Sequence, residues 1–101
     1  MKKTLLTAAG CAFAFAAAGA HADEAMAKAK GCLACHTISG KLVGPAYKDV
    51  AAKYKADKDA PARLVASVTK GSQGKWGPIP MPPNKVTEDE AKQLVAWILS
   101  L

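Results

Sequence analysis

Six residues, Gly31-Cys32-Leu33-Ala34-Cys35-His36, restrict the folds open to this chain more than any other segment. On a helical turn, positions i, i+3 and i+4 share one face, so both thiols and the imidazole point the same way. Two cysteines two residues apart, followed at once by histidine, form the attachment pattern for c-type haem. Each thiol can add to a vinyl group of the porphyrin, and the adjacent imidazole then lies under the iron as its proximal ligand. The spacing suits a macrocycle rather than a point ion. Structural zinc takes four protein ligands, and no second Cys or His pair completes such a set. A thioredoxin-type pair expects a βαβ context that is absent here, and a plain disulfide leaves His36 without a reason.

The rest of the chain has little else to fold around. Of its 101 residues, the first 22 read as a secretory signal. Lys2 and Lys3 precede an apolar run from Leu5 to Ala18, and Ala20-His21-Ala22 is a small-x-small cleavage site. That run is about 14 residues, short of the roughly 20 needed to span a bilayer, so no stable membrane insertion is expected. Ala9-Gly10-Cys11 resembles a lipoprotein triplet, but the apolar run continues beyond Cys11 through Phe13 and Phe15.

Cleavage after Ala22 leaves 79 residues, 23–101, as one domain. At that size an apolar core alone seldom suffices, and a bound group or cross-link usually helps. The mature chain keeps twelve basic and eight acidic side chains, two cysteines and one histidine. Its lysines are scattered, with no Arg-rich or aromatic-interleaved run, which argues against nucleic-acid binding.

No stretch shows sustained strand alternation, and helix signals recur, so the class is all-α. Asp23 can cap a first helix that runs toward His36, with Glu24 in its first turn. Pro45 suits the first position of a second helix, in which Tyr47, Val50, Ala51 and Tyr54 share a face. A third opens at Pro61, carries Leu64, Val65 and Val68 on one side, and stops at Gly71. Thr87 and Glu90 form a capping box for the last. There Ala91, Leu94, Ile98 and Leu101 make an apolar stripe, with Trp97 beside it as a core residue where this helix crosses the first.

Between the third and fourth helices, residues 77–85 hold four of the six prolines around one methionine. Proline fixes φ and pushes the residue before it out of the helical region, so Ile79 and Met81 are held extended. His36 is the only mature histidine, so a single chain cannot offer the iron two imidazoles. Met26 lies six residues before Cys32 on the same helix and cannot reach the far haem face. Met81 remains as the second axial ligand. A gap-filling methionine gains nothing from a stiff loop, whereas a ligand gains by being ordered in advance.

The chain resembles the small bacterial class I cytochromes c of the c-551/c-552 type across essentially all of residues 23–101. The likeness rests on GCLACH, VGPAYKDVAAKY, GSQGKWGPIPMPPN and the terminal VAWILSL. It implies about four short helices wrapped around one haem c, an iron protoporphyrin held by two thioethers to Cys32 and Cys35. It further implies that the Pro45 carbonyl accepts from the second ring nitrogen of His36. Trp76 would donate its indole N–H to a haem propionate, and Asn84 would hydrogen-bond the methionine sulfur. Ser67 departs from the family, where relatives often carry Arg or Lys nine positions before the loop tryptophan.

With His36 and Met81 both bound, the iron has no open position, which leaves a one-electron change between ferrous and ferric states. The chain therefore reads as a periplasmic electron carrier and not an enzyme. Its partners would be redox proteins such as a terminal oxidase, nitrite reductase, peroxidase or bc1-type donor. Lys30, Lys41, Lys75 and Lys85 are positioned to favour an acidic patch on such a partner. The rival reading is a haem-based sensor or peroxidase-like domain in which Met81 dissociates. No exposed heptad or long apolar edge suggests assembly, so a monomer is expected.

Overall fold

The computed structural model describes Gly10 and residues 22–101. The expected signal segment, with Cys11 and His21, lies outside the described residues apart from Gly10 and Ala22. Four helices and no strand form among the described residues, as the apolar periodicity predicts: α1 (Glu24–Ala29), α2 (Tyr47–Tyr54), α3 (Ala60–Lys70) and α4 (Glu88–Leu99).

Asp23 caps α1 by accepting the Met26 N–H at 3.0 Å. The helix does not run on to His36. It ends at Ala29, Gly31 turns left-handed at φ 78°, and a 3-10 turn follows over Cys32–Ala34. The His36 N–H nevertheless donates to the Cys32 carbonyl at 3.0 Å, so the two cysteines and the histidine still share one turn.

Pro45 also sits two positions before the first helical residue, Tyr47, where its helix-starting character would place it. Ala46 is the N-cap of α2, which leaves Pro45 just outside the helix. The first donors of α2 are met by the segment after His36, with Tyr47 N–H to Thr37 O at 2.9 Å and Lys48 N–H to Ile38 O at 3.0 Å. Pro61 lies in the first turn of α3, and Gly71 ends that helix at φ 86°, both as the sequence suggests.

The capping box of α4 is complete, with Glu90 N–H to Thr87 Oγ1 at 3.1 Å and Thr87 N–H to Glu90 Oε1 at 2.9 Å. Leu101 does not join its apolar stripe. The helix ends at Leu99, Leu101 is exposed, and Val95 takes a buried place beside Ala91, Leu94 and Ile98.

Helix α4 is the spine of two apolar clusters. Leu94 and Ile98 pack with Ala22, Ala27, Tyr47 and Val50, against which Met26, Leu33 and Trp97 are partly buried. Met26 is thus a core residue. Ala91 and Val95 pack with Val68, and Leu64, Val65 and Met81 close against them. A Lys30–Glu90 ion pair at 2.6 Å ties the end of α1 to the start of α4. Among these buried side chains Leu94 alone is both large and almost fully enclosed. The core is therefore thin, and the helices stand around a cavity.

Candidate functional site

The cavity measures about 410 Å³, within the usual range for a site that encloses a small molecule. One wall is the segment from Cys35 to Pro45; others come from α2, α3, α4 and the proline-rich loop. His36, Met81, Pro45 and Trp76 all line it.

The His36 ring is fixed on several sides. Its Nδ1 lies 2.8 Å from the Pro45 carbonyl, which makes Nδ1–H the donor and leaves Nε2 with its lone pair for a metal. The Tyr47 ring stacks on it at 4.9 Å with planes 19° apart, and the Trp97 ring meets Tyr47 edge-on at 5.6 Å. Gly44 lies flat against the imidazole: a Cβ there would stand 2.5 Å from Cε1 and 2.8 Å from Nδ1. The backbone of Gly44 cannot easily retreat, because its N–H donates to Cys35 O at 2.7 Å and its carbonyl accepts from Leu42 at 3.1 Å.

Both cysteines are half-buried free thiols. Cys35 lines the cavity, while Cys32 packs against the core cluster around Tyr47. Burial pushes the Cys32 thiol above the ordinary cysteine range. Burial, and after it the neighbouring Cys32, likewise raises the Tyr47 phenol.

Met81 is delivered by a loop closed on itself. Ser72 N–H donates to Met81 O at 2.9 Å and Met81 N–H to Ser72 O at 2.8 Å. Asn84 then ties the outgoing chain to the end of α3, with its backbone N–H and its Nδ2 reaching Val68 O at 3.1 and 2.9 Å. Val68 O belongs to the last turn of α3, where helix carbonyls lack intrahelical partners. The second contact of Asn84 Nδ2 is Pro82 O at 3.3 Å. Both of its amide contacts thus go to carbonyls, whereas the family resemblance implies a bond to the methionine sulfur.

Trp76 is 38% exposed at the cavity rim. Tyr54 meets it edge-on at 6.4 Å, and the Lys53 ammonium stands 4.5 Å from its ring centre. Ser67 also lines the cavity, but its hydroxyl donates back to Arg63 O on its own helix at 3.1 Å. Of the four lysines that the sequence suggests for docking, Lys41 and Lys75 line the cavity, whereas Lys30 is engaged by Glu90.

An imidazole with a free Nε2, a thioether and a flanking thiol, set in a mainly apolar hollow, fit an iron macrocycle. Among the described residues no three His, Cys, Asp or Glu side chains gather as they would to cage a bare ion. Comparison with known proteins points the same way. The Cytochrome c family model matches residues 21–101. The chain belongs to the cytochrome c family.

Cytochrome c-551 of Pseudomonas aeruginosa is 57% identical over 86 residues, covering 83% of this chain and 83% of that one. Cytochrome c-552 of Hydrogenobacter thermophilus is 51% identical over 105 residues, spanning 100% of this chain and 99% of its own. The crystal structure of wild-type Nitrosomonas europaea cytochrome c552 superposes with a TM-score of 0.76 at 50% identity, covering 78% of this chain and 99% of that one. The cofactor of this cytochrome c is accordingly one covalently bound haem c, and the family carries electrons.

Several residues that shape the site escaped the sequence reading. Gly44 was legible as part of a Gly-Pro pair, but only the fold shows that the missing side chain makes room for an imidazole. Tyr47 reads as a core position from its period, and it is one, yet its ring face is spent on His36. Leu42, Val43 and Ile79 are exposed apolar side chains at the cavity, a placement that periodicity cannot assign to loop residues.

Proposed function

We propose that this cytochrome c is a periplasmic one-electron carrier in which His36 and Met81 hold the haem iron from its two sides. The observation that carries the reading is that the two side chains line one cavity and that contacts within the chain hold each of the segments that present them. Pro45 and Gly44 set the imidazole, and Ser72 and Asn84 set the loop that presents Met81. When bound, the haem supplies a reversible change between ferrous and ferric iron. Residues that stay in place between the two states keep the reorganisation cost low. With His36 and Met81 both donating to the iron, no position would be left for a substrate, which suits a carrier rather than a catalyst.

Cys32 and Cys35 anchor the group against loss from so small a shell. Among the described residues no helix is long and apolar enough to cross a membrane, and the leader through Ala22 supplies the address. Leu42, Val43 and Ile79 form an exposed apolar rim with Lys41 and Lys75 beside it. Such a surface favours brief contact with an acidic patch on a redox partner.

The test is the absorption spectrum of the purified protein in both oxidation states, with a Met81→Ala variant alongside. Sharp reduced bands and a weak long-wavelength sulfur-to-iron band in the ferric form are expected. The variant should lose that weak band and show a lower potential. A wild-type protein lacking the weak band, or a variant with unchanged coordination and potential, refutes the ligation.

A further inference from the structure

A haem brings two carboxylates into a hollow whose walls are mainly apolar, so some part of the rim has to meet negative charge. Tyr54, Ser67 and Trp76 all line the hollow, and the Tyr54 and Trp76 rings meet edge-on at 6.4 Å. Ser67 brings no charge, and its hydroxyl is committed to Arg63 O. Arg63, one turn earlier on α3, has its guanidinium paired with Asp57, whose carboxyl it holds below the ordinary range.

Lys53 is different. It lies in the last turn of α2, where the helix dipole favours a cation. Its ammonium stands over two rim rings at once, 4.5 Å from the centre of Trp76 and 5.5 Å from that of Tyr54. The ion pairs among the described residues are Lys30–Glu90, Arg63–Asp57 and Lys92–Glu88, so Lys53 keeps its charge uncompensated. A cation on the face of an indole draws density from the ring and makes the N–H at its edge a stronger donor.

We propose that Lys53 is a positioning residue of the haem site, its ammonium pinning Trp76 by the ring face and supplying at the cavity rim the positive charge that Ser67 does not. The inference rests on the haem-carrier reading and extends it to a residue outside the cavity lining. A positive charge held near the haem favours the ferrous state, which carries one positive charge fewer, and so raises the potential. The effect weakens as salt screens it.

The experiment is an equilibrium redox titration of the holoprotein, wild type against Lys53→Met and Lys53→Arg, at low and high ionic strength. Lys53→Met should shift the midpoint potential downward, more at low salt than at high salt, while Lys53→Arg should stay with the wild type. A Lys53→Met variant at the wild-type potential, or a Lys53→Arg variant that falls as far as Lys53→Met, overturns the inference. The ferric sulfur-to-iron band of the wild type, recorded first, separates this outcome from failure of the Met81 ligation. That band reports on the axial ligand and not on the rim.

Discussion

Replacing Gly44 with alanine tests whether the imidazole is held by contact. Gly44 is not among the glycines with positive φ, so alanine meets no backbone strain there. At a compatible position the change normally stabilises a protein by about 0.4–1 kcal/mol, through a less flexible unfolded chain. Here the new Cβ would meet His36 Cε1 at 2.5 Å, Nδ1 at 2.8 Å and Nε2 at 3.0 Å. To restore ordinary carbon contact the ring must yield by about 1 Å. It is hemmed in by Tyr47 and bonded to Pro45, and the Gly44 backbone is itself clamped by Cys35 and Leu42. Overpacking of this kind costs about 1–3 kcal/mol. The net expectation is a loss of about 1–2 kcal/mol in stability. A shifted potential should accompany it, because the hydrogen bond that orients His36 is disturbed. Denaturant unfolding of the ferric holoprotein and a redox titration read both quantities. A Gly44→Ala protein as stable as the wild type, with its potential unmoved, would refute the argument.

Asn84→Ala should weaken the Met81 loop, since it removes the Nδ2 contacts to Val68 O and Pro82 O while the backbone bond to Val68 O survives. A stability loss of about 1 kcal/mol is expected, together with a weaker sulfur-to-iron band; equal stability and an unchanged band would count against the strap. The Lys30 ammonium and the Thr87 N–H hold the Glu90 carboxyl below the ordinary glutamate range. A depressed carboxyl stabilises above its unfolded pKa of about 4.3 and loses that contribution as pH falls through its folded value. Glu90→Gln should therefore be less stable than wild type at pH 7, with the difference shrinking in acid; a difference that grows toward low pH would reverse the sign.

Where a feature depends on neighbours in the chain, the sequence was enough. The Thr87–Glu90 box, the stop at Gly71 and the buried faces of α2 and α3 follow from local chemistry and a period of 3.6 residues. The same holds for the spacing of Cys32, Cys35 and His36, which names the cofactor because three donors on one turn are a covalent fact. Local rules failed where distant segments meet. Pro45 looks like a helix starter, yet it stands outside α2, where its carbonyl meets His36. The first helix looks continuous through Cys32, yet Gly31 breaks it.

The amino-acid order alone thus determined the class of fold, the bound group and its family, since these rest on spacing and short-range periodicity. Only the tertiary structure decided how Gly44 and Tyr47 confine the imidazole, where the amide of Asn84 goes, and which lysines remain uncompensated. Those depend on residues far apart in the chain meeting at contact distance, and no local pattern encodes that.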